Sequence, residues 1–277
     1  MISIAGPARA RRLDGAVGRG VPHWRWVAEA FLLVGIYTVY SLVRNDVGSA
    51  RVPYGVAADH ARDIFAFERI FFIDIEAGAQ RVALAVEPLA RFAGIYYRAL
   101  HQWAVIAMLA YLLARRSHLY SRLRTTLVVA TVLALVGFIV YPLAPPRLLP
   151  EMGFVDTVRL PADEWKPQPA VAQRHFDRMA TNQFAAMPSL HVAFATWVVL
   201  AAWCACGRRA RAAAALHLGV TCAVVVVTAN HWVLDAVAGA ALVGAGWMVA
   251  TLVHALCAML RRSGGGLEPV LSARVAR

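Results

Sequence analysis

The sequence is poor in charge. Only 16% of its 277 residues are charged, against about 25% in an ordinary soluble domain. Lysine is almost missing: Lys166 is the one lysine among 28 basic residues, a bias that reflects coding composition more than function. Cysteine is scarce as well. Cys204, Cys206, Cys222 and Cys257 all lie in or beside apolar runs. Cys-Ala-Cys is not a usual zinc spacing and no histidine cluster stands next to it, so buried, inert thiols are expected. No basic stretch is interleaved with aromatics, so the net charge of +12 does not point to a nucleic-acid partner. Internal repeats are absent.

Long apolar runs are abundant. Hydrophobic residues make up 60% of the chain, and they gather in stretches such as Phe31–Val43, Leu127–Val140, Val192–Cys206 and Ala212–Val227. A helix needs roughly 17 to 25 apolar residues to cross a bilayer. We therefore expect an all-α polytopic membrane protein with six transmembrane helices near Trp26–Val43, Ala99–Leu113, Thr125–Tyr141, Pro188–Cys206, Ala212–Ala229 and Val233–Leu260. Residues 1–25 form an Arg-rich cytoplasmic segment. The first apolar run is too long for a signal-peptide core, so it reads as an uncleaved span. Residues 26–260 make up the membrane domain, and 261–277 a flexible cytoplasmic tail. Val56–Phe72 has apolar residues at helical spacing with Asp59, Arg62, Asp63, Glu68 and Arg69 set to one side, which suggests an amphipathic helix lying on the membrane. Arg81–Tyr97, with Glu87, Pro88 and Arg91, reads as an interfacial or re-entrant helix. A polar, Pro-rich loop fills 142–187.

Short connections report orientation best. The 113–125 and 207–211 links are rich in Arg, whereas 230–232 has none, which places the latter outside. Three polar segments then fall at the outer ends of spans: 141–147 with Arg147, 182–191 with Asn182, Ser189 and His191, and 230–235 with His231 and Asp235. They are distant in sequence, yet this topology brings them to one membrane face.

His231 and Asp235 are four apart at the start of a span, so they share a helix face. The carboxylate can fix the imidazole's tautomer and raise its basicity. It can equally be a buried pair that clips helices, although a charge inside a membrane helix is a functional hypothesis by default. Pro188-Ser189-Leu190-His191 sits where a helix should begin, and a helix N-terminus with free N–H groups suits a phosphate. Ser189 is either a phosphate ligand or a plain N-cap, and His191 either an acid–base group or an interfacial histidine. Arg147 matches phosphate in a bidentate fork, or merely marks a membrane boundary. Together, two histidines, an orienting Asp, an Arg and a helix N-terminus suit phosphoryl transfer, with one imidazole attacking phosphorus and the other protonating the leaving oxygen.

These motifs resemble the type 2 phosphatidic acid phosphatase superfamily, and within it the inositol phosphotransferase branch related to inositol phosphorylceramide synthase. Pro188-Ser189-Leu190-His191 is similar to its Pro-Ser-x-His motif, His231-x-x-x-Asp235 to its final motif, and Pro145-Pro146-Arg147 to the branch's form of its first. The resemblance spans about 95–245, and more loosely back to 26. It implies a six-helix membrane enzyme, active without metal or cofactor, that works through a phospho-histidine. It makes His231 the nucleophile held by Asp235, and His191 the general acid, with Arg147 and Ser189 on the phosphate. The implied partners are a lipid phosphate or phosphodiester and, for a transferase, an alcohol acceptor. The implied place is the plasma membrane, with the site on the extracytoplasmic side.

The motifs also depart from the superfamily pattern. Val140 stands where it has Lys, Leu148 where it has Pro, and Val224-Val225 where it has Ser-Arg. Two phosphate-binding cations are therefore missing, and Arg98, His101, Arg178 and Asn182 are the candidates to compensate. The same departures favour a phosphotransferase over a plain lipid phosphate phosphatase. Two readings of other kinds remain. One is a transporter or lipid-binding scaffold, whose polar residues would line the mid-membrane. The other is a hydrolase using His191, His231 and Asp235 as metal ligands.

Overall fold

The computed structural model describes residues 21–47, 52–159, 165 and 182–264. Helices dominate, and the described residues form no strand beyond an isolated bridge between Leu143 and Ala185. The helices are α1 His23–Asp46, α2 Tyr54–Ile70, α3 Glu76–Leu84, α4 Glu87–Ile95, α5 His101–Arg115, α6 Ser117–Val140, α7 Leu190–Ala205, α8 Arg208–Val227 and α9 Val233–Gly264. Four of them, α1, α6, α8 and α9, are long and apolar enough to cross a bilayer. Their outward faces carry residues such as Phe31, Val136, Leu216 and Leu252 in the open. Apolar side chains on so much outward surface suit lipid as the surrounding solvent. With 15 and 16 residues, α5 and α7 are shorter, below the roughly 20 needed at 1.5 Å rise per residue.

Several boundaries differ from the sequence-based expectation. The region expected to hold one helix over 81–97 is broken at Ala85–Val86, and Pro88 opens α4 at a first-turn position, where a missing N–H costs nothing. From there α4 continues through a π-turn, Tyr96–Leu100, straight into α5. Helix α6 starts at Ser117, eight residues ahead of expectation. Its arginines read as a cytoplasmic link, but they have partners within the bundle. Arg124 is bound to Glu29 of α1, and Arg122 lies 3.7 Å from the Trp247 ring centroid while donating to Thr251 Oγ1 at 2.6 Å. In α2, Ala57, Ala58 and Ala61 pack inward as expected of small residues, but Glu68, read as part of the polar side, is fully buried.

The core lies where α5, α6, α7 and α9 meet, around Leu112, Leu123, Trp197 and Ala201. Trp197 is wholly buried, and its indole N–H donates to Leu123 O at 2.8 Å, which satisfies its one polar atom. Helix α9 crosses α6 so closely that a Cβ at Gly246 would sit 2.7 Å from Thr126 O. A second cluster, with Leu143, Leu149, Phe154 and Trp232, lies under α2 at the other end. There α1, α6 and α8 end and α7 and α9 begin, so chain reversals of very different sequence position converge.

Candidate active site

The site is built on backbone held by side chains. Trp232 donates its indole N–H to Ala144 O at 3.0 Å, and Ala144 N–H reaches Ala57 O at 3.0 Å. Arg147 N–H donates to Ala229 O at 2.8 Å, and Ser189 N–H to Asp235 O at 2.9 Å. These bonds join the three polar segments into one frame.

His231 is 4% exposed. Its Nδ1 lies 2.9 Å from Ala186 O and 3.3 Å from Asp235 Oδ2. A carbonyl can only accept, so Nδ1 carries the proton and a neutral ring holds its lone pair on Nε2. That Nε2 is buried and has no hydrogen-bond partner. Asp235 is fully buried. Its Oδ2 also accepts the Trp232 N–H at 3.0 Å, which fixes the carboxylate's orientation. His191 opens toward the same place from α7. Its ring centroid is 5.6 Å from that of His231 and 4.3 Å from that of His101, and it stacks on Tyr97 at 4.1 Å.

The two imidazoles border a cavity of about 70 Å³. Arg147 borders it, 6% exposed. Its Nε donates to Asn230 Oδ1 at 2.7 Å and its Nη2 to Gln183 Oε1 at 2.8 Å. Both partners are neutral amides. The nearest carboxylate oxygen, Asp156 Oδ2, stands 3.8 Å from Nη1, which is buried without a hydrogen bond. Two further arginines border the cavity, Arg44 and Arg159, and none of its described bordering residues is Asp or Glu. Arg44 Nη2 donates to Asn182 O at 3.2 Å, and Asn182 Nδ2 donates back to Arg44 O at 2.8 Å. The cavity is thus a cationic pocket that suits an anion.

A larger apolar groove of about 300 Å³ adjoins it, walled by α1, α5, α6 and α7. Tyr40, Arg44, Leu190 and His191 border both spaces.

The expected residues fare differently. His231, His191, Asp235 and Arg147 come together, and Asn182 borders the cavity. His101 packs on His191 from the groove side. Ser189 is fully buried and caps α7, its Oγ accepting from Val192 N at 3.4 Å; it is not among the described residues bordering the cavity. Arg98 turns its guanidinium to Val158 O and is not among the described residues bordering the cavity. Arg178 lies outside the described residues. Sequence reasoning missed Arg44 and Arg159. Arg44 reads as the polar end of the first span, and Arg159 as one more charge in a long loop. Gln183 and Asn230 sit inside the motif segments, but nothing local tells that both serve Arg147.

Among the described residues, no group of three His, Cys, Asp or Glu is placed to hold a metal ion. A family model described as the PAP2 superfamily matches residues 62–249. The chain belongs to the PAP2 superfamily. Comparison with curated proteins and with solved structures returns no match. Membership brings phosphatase or phosphotransferase chemistry with it, at the level of the superfamily and without separating its inositol phosphotransferase branch. Helix α1, which carries Arg44, precedes the matched segment.

Proposed function

We propose that this membrane protein transfers the phosphoryl group of a lipid phosphate ester through a phospho-histidine on His231. The observation that carries the reading is the cavity itself: among the described residues three arginines and no carboxylate border it, and so do two imidazoles whose centroids are 5.6 Å apart. Nε2 of His231 attacks phosphorus with its lone pair. The phosphorus–oxygen bond to the leaving group breaks, and His191 gives that oxygen a proton. Asp235 balances the charge that develops on His231. In the second step an acceptor hydroxyl passes its proton to His191 and its oxygen displaces Nε2 from phosphorus. Arg147, Arg44 and Arg159 offset the charge on the equatorial oxygens, and the latter two take the place of the missing motif cations. No metal enters this scheme, so turnover should survive a strong chelator.

The groove beside the cavity suits the apolar chain of a lipid, with Arg44 at the junction of chain and phosphate. Water as acceptor gives a phosphatase and an alcohol gives a transferase. We favour a transferase, and an inositol phosphate or similar headgroup as its cargo, on the motif departures. We also read α5 and α7 as crossing the bilayer, which makes six spans. Helix α5 extends an unbroken helical run from Glu87, and α7 is packed among other helices along its length. We read the Arg-free 230–232 link as lying outside the cytoplasm, and the membrane as the plasma membrane, with the site on its outer side.

The lipids of cells with and without the protein test this function. Loss of one phospholipid headgroup class is the transferase result, and accumulation of a phosphorylated lipid in cells lacking it the phosphatase result. Unchanged lipids contradict both. For the orientation, a Glu151→Cys thiol should react with an impermeant label in intact cells. Labelling only after lysis inverts the topology.

A further inference from the structure

The reaction uses neither Glu68 nor Glu76, yet both are fully buried. They come from α2 and α3 and meet over the first turn of α9. Glu68 Oε1 accepts the Leu234 N–H at 2.7 Å, and Glu76 Oε1 the Val233 N–H at 2.8 Å. Asp235 Oδ2 holds the preceding N–H, that of Trp232. Three successive N–H groups at the head of the helix bearing Asp235 are thus each held by a carboxyl group. The remaining oxygens, Glu68 Oε2 and Glu76 Oε2, are buried and receive no hydrogen bond from a described N–H or hydroxyl group. Among the described residues, no basic side chain forms an ion pair with either glutamate. Two carboxylates that face each other without a donor repel, unless a proton lies between them.

We propose that Glu68 and Glu76 share one proton, and that the resulting carboxyl–carboxylate pair is a positioning clamp on the first turn of α9, and so on the His231–Asp235 couple. The inference rests on the reading of His231 as the reacting group. Titratable and charged groups around the pair come from three helices: Glu76 on α3, Asp235 on α9 with His231 against it, and Arg69 on α2, whose guanidinium lies over Phe65 instead. Burial, and next the hydrogen bond with Glu76, push Glu68 up from 4.5 to about 9. Near neutral pH Glu68 therefore keeps its proton. Above about pH 9 Glu68 becomes charged close to Asp235, and the clamp loses its proton. The folded protein holds that proton more tightly than the unfolded chain. Stability from this group is therefore full below about 4.5 and is lost as pH rises toward about 9.

Isotope-edited infrared titration of the full chain in lipid tests the shared proton. The parent should show a protonated carboxyl at pH 7 that disappears as pH passes about 9, and Glu68→Gln should lack it. No such band at neutral pH, or a band that persists in Glu68→Gln, overturns the proposal. Turnover tests the positioning role. Glu68→Leu should lower kcat about tenfold or more. Glu68→Gln, whose amide keeps a donor toward Glu76 and an oxygen for Leu234, should restore it and remove the parent's alkaline fall. A parental pH profile in Glu68→Gln overturns that role, even where Glu68→Leu fails to fold. The infrared reading needs no turnover, so a chain inert on phosphate esters would refute the proposed function while leaving the proton pair standing.

Discussion

Arginine is used in two ways at the two ends of the bundle. At the end holding Glu29 and Thr251, guanidiniums are matched inside the protein: Arg124 makes two bonds to the Glu29 carboxylate, at 2.6 and 2.5 Å, and Arg122 lies on Trp247. At the end holding His231, Arg147 makes its hydrogen bonds to neutral amides, and the cavity it borders with Arg44 and Arg159 has no bordering carboxylate among the described residues. A charge placed in a partly dry environment needs a counter-charge. The first end has its own. At the second, Arg147 pairs only loosely with Asp156, 3.8 Å away, and the cavity beside it has room for an anion. The same residue type is thus tied to a carboxylate in one place and borders a cavity in the other, and the difference lies in what faces it.

This contrast can be broken by substitution. The largest effect belongs to the imidazoles: His231→Ala should abolish turnover, and His191→Ala should reduce it at least about a hundredfold, as loss of a general acid does, both without changing the Tm by more than a few degrees. Next come the arginines. Arg147→Ala should cost about a hundredfold or more in kcat/KM, the scale of losing one preorganised charge partner. Arg124→Ala should instead leave kcat/KM near the parent value and lower stability by about 1–3 kcal/mol, because Glu29 is left partly buried without its cation. If Arg124→Ala lost activity as Arg147→Ala does, the two ends would not differ as described.

How much of this is legible in the sequence depends on the range of the interaction. The long apolar runs show α1, α6, α8 and α9 directly, because crossing a bilayer demands length and composition together. The meeting of His231 with Asp235 is legible because a spacing of four residues brings both side chains to one turn. Failures occur where a charge is satisfied at long range. Arg122 and Arg124 read as a connection because Glu29 and Trp247 are distant in sequence. Glu68 reads as solvent-facing because the N–H it accepts, at Leu234, is 166 residues away. Arg44 lies outside the matched family segment, and only folding brings it to the cavity. Ser189, by contrast, is a local feature with two local readings, and its hydrogen bond to Val192 N is that of an N-cap.

Smaller effects sharpen the comparison. Arg44→Gln should lower kcat/KM about tenfold, less than Arg147→Ala, since it removes one of three cations and leaves the hydrogen-bonded frame of Arg147 intact. Gly246→Ala should cost about 1–3 kcal/mol of stability through overpacking against Thr126 and Ala130, with kcat unchanged. Thermal unfolding and turnover on the same preparation separate the two kinds of change.

The most direct test of the central claim is to trap the covalent intermediate. The purified protein is mixed with a lipid phosphate ester labelled at phosphorus, quenched in base within a turnover, and the labelled peptide identified. An acid-labile phosphoramidate is expected on the peptide containing His231, absent from His231→Ala and accumulated when the acceptor is withheld. Label found on another residue, or a folded His231→Ala protein that turns over at the parent rate, would contradict it.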